Sequence, residues 1–343
     1  MKSRIKLVIF LWTLVVWALF QLPVLAVDYI LVPTVKGLDV VNCETGRVIE
    51  GARYSDYVLN TSYSPDGRRY YLNALHSIFA VDTKTFSLID TYRFSTDLSR
   101  VTIFTTAVSN DGKQLFVSCQ IVKKKQNIPK LNVLPPQFAI FDIGKKEVVR
   151  SYELPYGVHG IFPVRNDPDH AILFGLDVYK INLKTGELEM IMAGIHAEKD
   201  QEQRSIVAMY TNNSPGDHQL FAAPYYASSG LYYLILDMVS GEIRSIKSKE
   251  MAMPFSAALS PDKKYIYAGH DELVKVDVAT GETVNATYAE RGSYTSIALS
   301  PDGKKVYIGA MGADVSIYDA ETLKFETAIP VGGDAMVFNR FSQ

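Results

Sequence analysis

Short apolar runs rich in Val, Ile, Tyr and Phe recur along the chain, separated by tight-turn signatures, and none of them carries the 3.6-residue period of a helix after residue 27. The first signature is Ser-Pro-Asp-Gly or a decayed form of it. Clear copies are Ser64-Pro65-Asp66-Gly67, Ser109-Asn110-Asp111-Gly112, Ser260-Pro261-Asp262-Lys263 and Ser300-Pro301-Asp302-Gly303. Weaker ones lie at Asn166-Asp167-Pro168-Asp169 and Asn213-Ser214-Pro215-Gly216. Proline presets the first central dihedral, aspartate bonds back to the backbone, and glycine accepts the left-handed conformation that closes a hairpin. Strand patterns follow at Arg69–Leu72, Gln114–Val117, Tyr265–Ala268 and Val306–Ile308.

The second signature is Asp or Asn followed two or three residues later by Thr, Ser or Gly. Its copies start at Asn42, Asp82, Asp142, Asn182, Asp237, Asp277 and Asp319, with spacings of 40, 60, 40, 55, 40 and 42. Seven copies of a unit near 40 residues, each built from several short strands, predict an all-β, seven-bladed β-propeller of four-stranded antiparallel blades. The chain enters at Tyr29–Pro33, which reads as a second strand with no first strand before it. After the last turn, Phe325–Val331 supplies an outer strand, and Ala335–Phe341 is left over. The leftover segment is expected to complete the blade begun at the N-terminus, so that pairing of the two ends removes a free sheet edge and locks the ring. Ala193–Ser205 is polar and reads as a loop.

Residues 1–26 read as a signal peptide and 27–343 as the propeller. Lys2, Arg4 and Lys6 precede an apolar stretch from Leu7 to Leu25, and Val24-Leu25-Ala26 offers a cleavage site. The stretch is also long enough to span a bilayer, so an uncleaved anchor stays open. Either way the remainder is expected to be exported. Export permits disulfides, yet Cys43 falls in a turn and Cys119 in a strand run of a different unit, so no bridge between them is expected.

With 343 residues and a formal net charge of -2, the chain is long enough for a large core and gives no electrostatic reason to expect nucleic acid. Its one cationic run, Lys123-Lys124-Lys125, is short and reads as a solvated loop.

The alternating turns resemble the YVTN-type propeller repeats of exported prokaryotic proteins. A closer resemblance is to the β subunits of quinohemoprotein amine dehydrogenases. It is carried by Asp28-Tyr29-Ile30-Leu31-Val32-Pro33, by Pro254-Phe255-Ser256, by the last unit from Tyr294 through Tyr318-Asp319-Ala320-Glu321-Thr322-Leu323, and by the insertion Ile121–Gln137. The segment Ala227–Gly230, after Ala223-Pro224-Tyr225-Tyr226, is shorter than the family's loop. The resemblance implies a periplasmic heterotrimer. A dihaem cytochrome c subunit carries haem c, and a small quinone-bearing subunit carries cysteine tryptophylquinone and oxidises primary amines. The propeller holds the small subunit and helps wall the substrate pocket.

Chemistry of the chain's own is sparse. It has no Cys-x-x-Cys-His for a c-type haem, and its only tryptophans, Trp12 and Trp17, lie in the leader, which excludes a tryptophan-derived quinone from the mature chain. His76, His159, His170, His196, His218 and His270 show no metal-ligand spacing, and neither a G-x-S-x-G elbow nor a P-loop occurs. The recurrent aspartates belong to turns. Asn60-Thr61-Ser62, Asn212-Asn213-Ser214 and Asn285-Ala286-Thr287 match the glycosylation acceptor, a pattern too short to weigh. No catalytic, cofactor-binding or metal residue is therefore assigned. First strands line a propeller's channel, and the loops leading into them gather at one face, so Phe104, His159, Phe162, Tyr225, Tyr226 and Phe255 are the candidates for a partner or pocket face. Two other readings remain open: a stand-alone exported propeller that binds protein or ligand, and a metal-dependent propeller lactonase.

Overall fold

The computed structural model describes residues 27–125, 129–207 and 219–342. The leader, the turn at 213–216 and His218 lie outside them.

The alternation resolves into a closed ring of seven antiparallel blades. From the channel outward, blade 1 is Asn339–Ser342, Asp28–Thr34, Gly37–Asn42 and Val48–Arg53. In the same direction, blade 2 is Val58–Tyr63, Arg69–Ala74, Ser77–Asp82 and Leu88–Arg93. Blade 3 is Ser99–Val108, Gln114–Lys124, Gln137–Asp142 and Glu147–Glu153, and blade 4 is Gly160–Pro163, His170–Phe174, Val178–Asn182 and Leu188–Met192. Blade 5 is Arg204–Ile206, Leu220–Ala227, Gly230–Asp237 and Ile243–Lys247. Blade 6 is Ser256–Leu259, Tyr265–Gly269, Glu272–Asp277 and Thr283–Tyr288, and blade 7 is Tyr294–Leu299, Lys305–Ala310, Asp314–Asp319 and Phe325–Pro330.

Both turn signatures act as their chemistry requires. The Ser64 hydroxyl donates to Asp66 Oδ1 at 2.6 Å and accepts from the Arg69 amide at 2.9 Å, with Gly67 at φ 68°. Ser109, Ser260 and Ser300 repeat the first of these bonds at 2.6, 2.6 and 2.7 Å. In the second signature the side-chain oxygen of Asp277 accepts the amides of Ala279 and Thr280 at 2.9 and 2.8 Å. Asn42, Asp82, Asn182, Asp237 and Asp319 do the same for their own turns. The hydrogen bonds these carboxylates accept hold Asp66, Asp82 and Asp319 below the ordinary carboxylate range. The aspartates of both signatures are thereby accounted for as turn residues.

Closure follows the expected pairing. Asp28, Tyr29, Ile30 and Leu31 pair with Ser342, Phe341, Arg340 and Asn339, so the last strand becomes the innermost one of the first blade. The Arg340 guanidinium, in a side chain 3% exposed, donates to Asp28 Oδ1 at 2.9 Å and so fastens the seam with charge as well as with the ladder. The leftover segment before that strand, with Ala335, Val337 and Phe338, is buried; Ala335 and Phe338 fill the core between blades 7 and 1.

Apolar side chains from facing blades form seven such cores around the ring. Cys119 is a buried hydrophobe in the core between blades 2 and 3, while Cys43 sits in a blade 1 turn. Burial pushes the Cys43 thiol up to about 12 and the Cys119 thiol to about 11.

Two segments read as irregular gain strand structure. The insertion after Ile121 carries Leu131–Val133, which pairs with Val122–Lys124. With Ser99–Thr102 on the other side of the same strand, it makes a three-stranded flap that stands above the blade. Of Ala193–Ser205, the last two residues open the inner strand of blade 5, because Arg204 and Ser205 find free partners in Ala227 and Tyr226.

Candidate docking face

Strand direction divides the ring into two unlike faces. Among the described residues both turn signatures join strands at the same end of their blades, so they share a single turn face. The connections from second to third strand, and from each blade to the next, share the opposite loop face. The exposed large apolar side chains respect this division. They lie on outer strands or on the loop face, and none lies on the turn face among the described residues. Loop-face members include Tyr57, Leu98, Leu131, Val133, Tyr156 and Met311, with Met251 and Met253 each 70% exposed. A contiguous apolar patch on one side of a globular protein marks a contact surface, whereas scattered single residues do not.

Part of this crown is demonstrably continuous. A Cβ placed on Gly157 would lie 2.6 Å from Leu176 Cγ, so Tyr156-Gly157 rests against the blade 4 loop. The Ile195 amide then donates to the Leu176 carbonyl at 3.1 Å. Tyr156, Leu176 and Ile195, all exposed, therefore form a ridge from the end of blade 3 to the entrance of blade 5.

Beneath that ridge lies a charged anchor that sequence reading missed. The Asp177 carboxylate, 1% exposed, accepts the Gly194 amide at 2.7 Å, the His196 amide at 3.2 Å, the Tyr179 hydroxyl at 2.9 Å and His196 Nδ1 at 2.6 Å. Desolvation raises its pKa, but the hydrogen bonds from His196, Gly194 and Tyr179 outweigh that effect and hold the carboxyl below its ordinary range. Gly194 is required there, since a Cβ would sit 1.9 Å from the Leu176 carbonyl oxygen. Asp177 thus folds the blade 4-to-5 connection and sets the position of Ile195. It stands outside the turn period, which is the signal in the sequence that its role differs from that of the turn aspartates.

In a search of solved structures, the chain matches the dihydro-heme d1 dehydrogenase NirN in complex with DHE, at 15% identity and a TM-score of 0.55, over 92% of this chain and 75% of that one. The likeness is one of fold. No family model matches the sequence, and no curated protein does.

The six sequence candidates divide between core and face. Phe162, 1% exposed, is packed by Phe174 and Phe221 at ring distances of 5.2 and 4.5 Å in the core between blades 4 and 5. Tyr225 belongs to the same core, stacked on Tyr232 at 4.9 Å. Phe104 is half-buried at the register shift where the flap rises from blade 3. Tyr226 is half-buried and donates to the Pro254 carbonyl at 2.8 Å, which places it under the connection that carries Phe255. Phe255, 37% exposed, lies against the His270 ring at 3.9 Å. Tyr226, Phe255 and His270 thus make an aromatic step at the base of the Met251–Met253 segment.

His159 is half-buried and bonds through Nδ1 to the Gly157 carbonyl at 2.7 Å, while its Nε2 is enclosed. Burial lowers the affinity of this ring for a proton, more than the bond to Gly157 raises it. Above its ordinary pKa of 6.5 the ring is neutral in folded and unfolded chains alike. Below it the unfolded chain binds a proton that the folded one resists, so stability declines on acidification. Melting curves from pH 7.5 to 5 are expected to show this decline, and His159→Gln is expected to flatten it. An unchanged slope in the variant would refute the assignment.

Proposed function

We propose that this chain is the non-catalytic propeller subunit of a periplasmic quinohaem amine dehydrogenase, holding a small quinone-bearing chain on its loop face and helping to wall the amine pocket there. The apolar crown confined to one face is the observation that carries the docking role. The identity of the occupant rests on the resemblance of the chain's ends, insertion and last unit to that family's β subunits. The match to NirN agrees in fold and adds no substrate. Haem c and cysteine tryptophylquinone are assigned to partner chains, in keeping with the absence of Cys-x-x-Cys-His and of any tryptophan after Trp17.

On this reading the ridge of Tyr156, Leu176 and Ile195 and the Met251–Met253 segment make the central contacts. Methionine suits the second role, because its unbranched thioether adapts to the shape of a partner. Central apolar anchors of an interface are worth about 2 kcal/mol each.

Co-expression with a dihaem cytochrome and a small cysteine-rich chain, followed by affinity capture on this subunit, tests the reading. Capture of both partners with amine-oxidising activity is expected, and the subunit alone should be colourless and inactive. The double variant Tyr156→Asp/Met253→Asp is expected to weaken capture more than tenfold while leaving the melting midpoint unchanged. Amine oxidation by the isolated subunit would overturn the proposal, and metal-dependent lactone hydrolysis by it would favour the lactonase reading instead.

A further inference from the structure

Around the channel, the inner strands carry small uncharged polar residues where a dry core would carry apolar ones. Counting back four residues from Ser64, Ser109, Ser260 and Ser300, which open the clear turns, gives Asn60, Thr105, Ser256 and Ser296 on blades 2, 3, 6 and 7. Their register partners on blades 2 and 3, Asn73 and Ser118, are polar as well. No charged side chain occurs at this level on these four blades.

Between blades 2 and 3, Asn73 turns toward two further polar residues of the inner strands, Ser62 and Thr106. Ser62 pairs in register with Tyr71, Asn73 with Ile78, and Thr106 with Val117. Tyr71, Ile78 and Val117 all belong to the core between those two blades, and directly paired residues share a face of the sheet. Ser62, Asn73 and Thr106 therefore face the same inter-blade space at its channel end. All three are buried, and Ser62 Oγ, Thr106 Oγ1 and both polar atoms of the Asn73 amide have no protein partner. Buried amides and hydroxyls are nearly always hydrogen-bonded, because leaving them without a partner is costly.

We infer that Ser62, Asn73 and Thr106 form a binding site for a neutral hydroxylic guest, either water or a polyol the size of glycerol. The donor and acceptor inventory selects this class. The amide offers two N–H donors and a carbonyl acceptor, and each hydroxyl both donates and accepts. Nothing in the set compensates a full charge, so phosphate and divalent cations are excluded as guests. The site is buried between two blades, and its test does not depend on what docks on the loop face.

Thr106→Val and Asn73→Leu, each close in volume to the native residue, test the inference through the sign of their effect. Where the polar atoms bind a guest, the replacements lose those bonds, and both melting midpoints are expected to fall by several degrees. Where the space is dry, they relieve unpaired groups, and both midpoints rise, which overturns the inference. Water relaxation dispersion and saturation-transfer NMR with glycerol on the full chain distinguish the two guests. Long-lived water alone identifies water, and transfer to glycerol that is lost in Asn73→Leu identifies a polyol. Neither signal from the wild-type protein would refute the site even if a midpoint fell.

Discussion

A chain ending at Phe338 is expected to lose its cooperative melt and to accumulate as aggregate. The missing residues are the innermost strand of blade 1, and their removal bares Asp28–Leu31 to solvent and to other chains. It also strips Asp28 of Arg340 and of the Ser342 hydroxyl. Arg340→Ala isolates the ionic part. Breaking a buried pair by removing one partner costs about 3–5 kcal/mol, a large share of the roughly 5–15 kcal/mol that a folded domain has in reserve. Denaturant titration of the point variant should show that loss with the secondary structure retained, and circular dichroism of the truncated chain should show a broad, early transition. A truncated chain that melts like the wild type would mean that the seam contributes little to the ring.

Asp177→Ala is expected to have the second-largest effect, and a more local one. Four donors converge on that carboxylate, three of them from Gly194 and His196, the residues that bracket Ile195. Hydrogen bonds to a charged group contribute about 1.5–3 kcal/mol each. Because the loop can recover water in their place, we expect a net loss of about 3 kcal/mol from that range. Hydrogen exchange at the Gly194 and His196 amides should accelerate about 100-fold, the equivalent of 2.7 kcal/mol. Capture of a partner should weaken with it, since Ile195 would no longer be held on the ridge. The carboxyl is depressed in the folded chain, so its contribution is present above the ordinary carboxylate range and is lost as pH falls below about 3.9. Exchange rates unchanged by the substitution would contradict this account.

What the sequence made legible follows from repetition. Seven copies of one turn signature announce seven hairpins, and a second strand with no predecessor at Tyr29 announces the closure. Individual aromatics were less readable. Phe162 and Phe255 both stand at the inner strand of a blade, yet Phe162 falls within its strand and turns into a core, while Phe255 precedes its strand and stays at the loop face. Side chains alternate across a strand, so one residue of offset exchanges core for surface. The flap was hidden because Leu131–Val133 takes its strand character from its partner Val122–Lys124. Asp177 was hidden because three of its four donors come from Gly194 and His196, 17 and 19 residues further along the chain.

The two ends of the folded chain meet at Asp28 and Ser342, beside the turn that holds Cys43. They therefore leave the ring on the side opposite the apolar crown. A tag, a fluorophore or a sensor surface attached at either end presents Tyr156 and Met253 outward to solution, so one immobilised preparation can screen partners without a tether crossing their path.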